Sequence, residues 1–240
     1  MIAVRQTSGP VLEHIYNIPA QTVIRQLSLN GGNMSEYHKI QTIYKRDPET
    51  KHKNLLEGDF SLPEFKYLAT NKWIFTEKVD GTNIRVIWDG ETVRFGGRTD
   101  NAQIYVPLLD RLQELFDSLI MAEVFKGPIV LYGEGYGSKI QKGGGNYIPD
   151  GVDFVLFDIS AGDTFLERDK VTEIANYMSL DQVPVIGEGT LYDAVEMARN
   201  GFTSTWGDFQ AEGIVARPET ELKDRRGSRI ITKIKCRDFK

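Results

Sequence analysis

The sequence predicts an α+β fold with largely antiparallel sheets flanked by helices. Two strand-like runs, "KWIFTEK" and "TNIRVIW", flank one Asp-Gly turn, and a second Asp-Gly turn leads on into "TVRFGGR". A further pair, "PIVLYGE" and "VDFVLFDI", brackets a glycine-rich loop. Such hairpins and neighbouring β-segments outnumber β-α-β units, which is the pattern of antiparallel pairing.

Taken in order, residues 1–33 are poorly patterned and end in "LNGGN". Met34 opens a polar, basic segment, "MSEYHKIQTIYKRDPETKHKN". Regular patterning begins near residue 71, where "WIFTEKVDGTNIRVIW" reads as an apolar hairpin with Lys78 at its lip. In "VPLLDRLQELFDSLIMAEVF", Leu108, Leu109, Leu112, Leu115, Phe116, Leu119 and Ile120 fall on one face of a single helix. Two more helices are expected around 167–178 and 190–200, the second opened by a Thr190–Asp193 capping box. "GEG" at 187–189 is read as a turn, being only a fragment of a dinucleotide fingerprint. "AEGIVARP" and "RIITKIK" close the chain as strands, with no internal repeat or flexible linker before them.

With 240 residues, 40% of them hydrophobic and 26% charged, the chain can bury a sizeable core as one large or two small domains. The apolar runs are too short to span a bilayer, and the first residues lack a signal-peptide pattern. The single cysteine, Cys236, excludes an internal disulfide and a cysteine zinc cage, which points to a reducing, cytoplasmic setting. A net charge of −5 argues against a passive nucleic-acid coat. The last eighteen residues run the other way, with eight Lys or Arg against two Asp, a local net of +6. There Ile230, Thr232, Ile234 and Cys236 alternate with Arg229, Lys233, Lys235 and Arg237, so a strand would bury one face and present an anion-binding wall on the other.

The chain has neither a GxxxxGK[ST] phosphate loop nor an HExxH pair, and its three histidines all precede residue 53, which sets histidine base catalysis aside. What remains is a series of charged residues at strand ends: Lys78, Asp80, Arg98, Glu134, Asp158, Glu212, Lys233 and Lys235. Together they describe a polar cleft between sheets. Carboxylates without His or Cys suit Mg²⁺, and several lysines suit a polyphosphate. Metal, lysines and a candidate nucleophile are the equipment of nucleotidyl transfer.

At this point "EKVDGTN" resembles the acceptor motif of the covalent nucleotidyltransferases, which include ATP-dependent DNA ligases, RNA ligases and mRNA capping enzymes. The family's other motifs follow in order: "GGR" at 96–98, "LYGEGYG" at 131–137, "VLFDI" at 155–159, "EGIVAR" at 212–217 and "ITKIK" at 231–235. The set is most similar to ATP-dependent RNA ligases of the nick-sealing kind. The resemblance implies a nucleotidyltransferase (adenylation) domain with its ATP cleft between sheets. It makes Lys78 the nucleophile that takes AMP from ATP. A free lysine has a pKa near ~10.4, so Lys233, Lys235 and Mg²⁺ (or Mn²⁺) would have to favour its neutral form.

By the same resemblance, Asp80, Glu134 and Glu212 hold waters on the metal, Phe157 stacks on adenine, and Glu77 neighbours the adenine amino group. Asn83 and Arg98 meet phosphates or nucleic-acid ends, while Lys139 and Lys142 in the glycine-rich loop contact backbone phosphates or simply stay solvated. The expected substrate is RNA with 5′-phosphate and 3′-hydroxyl ends, aligned in a nicked duplex. Only five residues follow Lys235, so the sequence reads as a nucleotidyltransferase domain over 34–240, a dispensable extension over 1–33 and no C-terminal OB-fold domain. That leaves the grip on nucleic acid to this domain or to an accessory protein or domain in trans. A minimal ATP-dependent DNA ligase and a nucleotide- or RNA-end-binding module without turnover are the alternatives.

Overall fold

A computed structural model describes residues 36–240; residues 1–33 and the expected start at Met34 lie outside them. Two five-stranded sheets carry the fold. The first contains β1 (Gln41–Thr42), β12 (Thr232–Lys235), β11 (Gly213–Pro218), β4 (Trp73–Glu77) and β10 (Val185–Gly189), in that order. The second runs β6 (Val93–Gly96), β5 (Thr82–Trp88), β7 (Ile129–Gly137), β8 (Val152–Ala161) and β9 (Thr164–Phe165). A separate hairpin pairs β2 (Tyr44–Arg46) with β3 (Leu55–Phe60). Every pairing is antiparallel except β1 with β12, in line with the expected class.

Each sheet buries its outer face under helices. In β5, Ile84, Val86 and Trp88 share one face and pack with Leu108 and Leu112 of α2 (Val106–Leu115). Met121 of α3 (Ser118–Val124) and Val171 and Ala175 of α5 (Arg168–Met178) complete that core. On the other sheet, Trp73, Phe75, Ile214 and Ala216 meet Leu191, Ala194 and Ala198 of α6 (Leu191–Asn200), with Phe65 of the short α1 (Pro63–Tyr67) closing the edge. Fully burying side chains of this size stabilises by about 1.5–3 kcal/mol each before entropy is counted.

Three expectations need correcting. The apolar "hairpin" at 73–88 is not one: β4 pairs with β10 and β11, whereas β5 pairs with β6 and β7. The Lys78–Gly81 turn therefore crosses from one sheet to the other. The long helix splits at Phe116–Asp117, where the Asp117 carboxylate caps a new helix by accepting from the amides of Leu119 and Ile120. The break rotates Leu119 out to 83% exposure and buries Met121. Residues 187–189 form part of the edge strand β10 rather than a turn. The Thr190–Asp193 capping box is present as expected.

Candidate active site

The two sheets face each other across a cavity of about 240 Å³. One sheet's strands and flanks contribute Thr76, Glu77, Val215, Arg217, Ile231 and Lys233; the other contributes Asn83, Glu134, Phe157 and Asp158. Lys78 and Val79, on the crossing turn, line it as well. The turn is fixed at its start, where the Lys78 amide donates to the Gly213 carbonyl at 2.9 Å. At its end Gly81 passes so close to β7 that a Cβ there would stand 2.2 Å from the Gly135 carbonyl oxygen. Any side chain at 81 would push the turn off the sheet.

Lys78 is set against Glu212, its Nζ 2.6 Å from Oε2, while Lys235 Nζ lies 2.6 Å from Oε1 of the same carboxylate. The field of cations expected around Lys78 thus has an anion inside it. Burial works against ionising Glu212, but Lys78 and Lys235 outweigh it and hold the carboxyl below its usual range. Glu134 sits differently. Burial pushes its carboxyl up to about 7, with Glu212 and Asp80 adding to the push and Lys78 opposing it. Burial, then Lys235 and Lys78, lowers the Lys233 ammonium, which makes no ion pair among the described residues.

Among the described residues no three His, Cys, Asp or Glu side chains are arranged to ligate a metal directly. A cluster in which Glu212 and Asp80 repel Glu134 while Lys78 attracts it does fit Mg²⁺, which keeps its waters and uses one or two carboxylates together with substrate phosphates. Asp80, Glu134 and Glu212 are the residues that would hold it.

Phe157 reaches the cavity through an irregularity in β8. Tyr132 pairs with Asp158 but the next residue, Gly133, pairs with Leu156, so Phe157 is an extra residue bulged out of the ladder. The bulge lets Phe157 and Asp158, although consecutive, both line the cavity. Phe154, two residues before the regular part ends, is 1% exposed in the helix-side core.

Asp158 is no free carboxylate: it accepts from Tyr37 Oη at 2.5 Å, Arg217 Nη1 at 3.0 Å and Arg229 Nη1 at 2.7 Å. Burial opposes its ionisation, yet the two guanidinium groups bring its carboxyl down to about 2. Arg229, expected on an anion-binding wall, is buried between Asp158 and Glu221 and unavailable to a ligand. Of that wall, Lys233, Lys235 and Arg237 remain, lining a second groove of about 990 Å³ with Lys39, Lys45, Arg46 and Lys53. Lys39, Ile40 and Lys233 border both spaces, so the groove continues the cavity.

Of the other expected residues, Arg98 is exposed and borders the cavity, and Asn83 lines it. Glu77 lines it too, but its carboxylate already accepts from Ser204 Oγ, the Thr205 amide and Thr205 Oγ1 at 2.6–2.9 Å. Lys139 and Lys142 are exposed and lie outside the cavity. Their loop is nevertheless docked on the crossing turn: Gln141 Nε2 donates to the Gly81 carbonyl, and the Asp80 amide donates to the Tyr147 hydroxyl. Sequence reasoning missed Tyr37, His38 and Arg217 as wall residues. The first two precede the patterned domain, and Arg217 had no distinguishing mark beyond its place in "EGIVAR".

A family model described as RNA ligase matches residues 71–235, which contain Lys78, Lys233 and the cavity lining apart from residues 37–40. No curated protein matches the chain. Among solved structures, the chain is similar to the Naegleria gruberi RNA ligase with PPi, with a TM-score of 0.59 and 19% identity over 87% of this chain and 59% of that one. A lysine-to-alanine variant of that ligase with ATP and Mn gives 0.59 and 18%, covering 86% and 59%. A lysine-to-methionine variant with AMP and Mn gives 0.59 and 17%, covering 87% and 60%. At such identity the likeness is one of fold, and the chain spans about 60% of the length of those structures. With more than half of its residues inside the family model, the chain belongs to the RNA ligase family.

Proposed function

We propose that this chain is the adenylating part of an ATP-dependent RNA ligase, acting on RNA with 5′-phosphate and 3′-hydroxyl ends held together as a nick. The observation that carries the reading is the position of Lys78: a primary amine lines a cavity whose walls hold a bulged Phe157 and an unpaired Lys233. Phe157 offers a ring to a base, and Lys233 and Lys235 offset charge on a departing pyrophosphate. The Lys78 nitrogen forms a bond to the α-phosphorus as the bond to pyrophosphate breaks, leaving lysyl-AMP. Before it can do so the amine must leave Glu212 and lose its proton, since an ion-paired ammonium has no lone pair to offer. A bound divalent cation would supply charge neutralisation at the phosphates. AMP then passes to the 5′-phosphate, and the 3′-hydroxyl displaces it. The groove bordered by Lys45, Lys53, Lys233 and Arg237 supports a phosphate-backbone track leading to that chemistry.

The test is incubation of the full chain with α-labelled ATP and Mg²⁺, followed by nicked duplexes carrying ribonucleotides or deoxyribonucleotides at the nick. Acid-stable label on the wild type, none on Lys78→Ala and faster sealing of the ribonucleotide nick are expected. Label that survives Lys78→Ala would overturn the mechanism, and faster sealing of the all-DNA nick would reassign the substrate.

A further inference from the structure

Stacking on Phe157 accepts any base, so some other group has to read the base edge. Glu77 is spent: its carboxylate is 1% exposed and takes three hydrogen bonds from Ser204 and Thr205. The Thr76 hydroxyl donates to the Val215 carbonyl, and Asp158 is saturated by Tyr37, Arg217 and Arg229. Five buried side-chain polar atoms among the described residues have no partner, and three of them belong to residues lining this one cavity: His38 Nε2, Asn83 Oδ1 and Arg217 Nε. An unsatisfied buried polar atom costs about 1–3 kcal/mol, so their convergence describes a cavity completed by a polar ligand. Asn83 pairs across the ladder with Glu134, at the carboxylate end. Arg217 already spends its Nη1 on Asp158. Among the described residues neither His38 nor Asn83 has a side-chain hydrogen bond, and of the two His38 belongs to the aromatic end: its ring lies 4.6 Å from Tyr37, whose ring lies 5.1 Å from Phe157.

We propose that His38 is a specificity-determining residue, its Nε2 forming a hydrogen bond with the base edge of the bound nucleotide and favouring adenine over guanine. The two purines differ at position 6, an amino donor in one and an oxo acceptor in the other, so a fixed partner tells them apart. Burial and the charge on Arg229 bring the His38 imidazole down to about 4, which keeps it neutral in the working range. Its ring packs against Tyr37 at 4.6 Å and meets Phe165 edge-on at 6.0 Å. The inference rests on the ATP reading of the cavity.

The experiment compares self-adenylation by ATP with guanylation by GTP in the full chain, for the wild type, His38→Leu and His38→Gln. The wild type should prefer ATP. His38→Leu should lose roughly tenfold of that preference, the size expected of one hydrogen bond, through KM for ATP rather than kcat. His38→Gln, whose carbonyl oxygen can accept from the 6-amino group, should recover part of the KM for ATP. An ATP-to-GTP ratio unchanged in His38→Leu overturns the inference while leaving the ligase reading intact. A wild type labelled by neither nucleotide removes both. A further arm needs no variant: purine riboside triphosphate, which lacks the 6-amino group, should show a KM raised about tenfold over ATP in the wild type. Equal values overturn the inference even where His38→Leu does not fold.

Discussion

The Lys78 amine and the Glu212 carboxylate form an ion pair at 2.6 Å, and Glu212 spends its second oxygen on Lys235. One carboxylate therefore holds both lysines in place while neutralising them. This arrangement separates two effects that a simple loss-of-activity experiment would confound. Glu212→Ala should cut self-adenylation by at least two orders of magnitude, because positioning of metal and phosphates is lost. The same change removes the carboxylate paired with Lys78 and leaves Lys235 and Lys233 near it, so its reaction with a small amine-directed acylating reagent should become faster, as read by mass spectrometry. A fall in both rates would mean that Glu212 mainly holds the fold.

Glu134 provides a pH signature. Its carboxyl ionises near 4.5 in the unfolded chain and at about 7 in the fold. Between those values the folded chain keeps a proton that the unfolded chain has lost, so stability falls as pH rises from about 4.5 to 7 and stays lowered above it. Glu134→Gln lacks that slope. Its melting temperature relative to the wild type should increase between pH 5 and pH 8 in metal-free buffer; a constant difference would contradict the assignment.

Asp158 joins Arg217 and Arg229 at the deep end of the cavity. Removing only the anion leaves two guanidinium groups buried without it. Asp158→Asn should destabilise the fold by about 3–5 kcal/mol, the usual size for breaking a buried pair. Denaturant unfolding measures this directly, and a loss under 1 kcal/mol would show that Glu221 carries the neutralisation alone.

The basic groove predicts a different pattern. Lys53→Ala and Arg237→Ala line that groove without touching Lys78, so adenylation should persist while RNA binding weakens. For a phosphate contact, each change should lower the slope of log affinity against log salt by about one. Fluorescence anisotropy across a salt series decides it. Lys142→Ala gives the comparison for the glycine-rich loop, and an unchanged slope there would place Lys142 among the solvated residues.

How much of this was legible in the sequence varied with the kind of information involved. Strand-length apolar runs, the Thr190 cap and the charged residues at strand ends are local, and the described fold contains them. Pairing is not local. "WIFTEKVDGTNIRVIW" has the pattern of a hairpin, and only the wider competition for partners sends its halves into different sheets. The helix break at Asp117 was hidden because the apolar period continues through it, while a side-chain cap two residues from Leu119 redirects the face. Arg229 looked like a free cation because its partners, Asp158 and Glu221, come from outside its strand. His38 was set aside with the other histidines as too early in the chain, yet the fold returns it to the cavity wall.

The bulge at Phe157 has a consequence for insertions and deletions. Without that residue, Leu156 would be followed directly by Asp158, and the pairing of Tyr132 and Gly133 would continue in uninterrupted register. Strand β8 is thus one residue longer than its sheet requires. Deleting Phe157 should leave a chain that folds, with Phe154, Leu156 and Ile159 still in their core and Asp158 still between its arginines. What disappears is the ring in the cavity. A single-codon deletion would thus remove the ring, together with its contact to Tyr37, without shifting the register of the ladder that carries it.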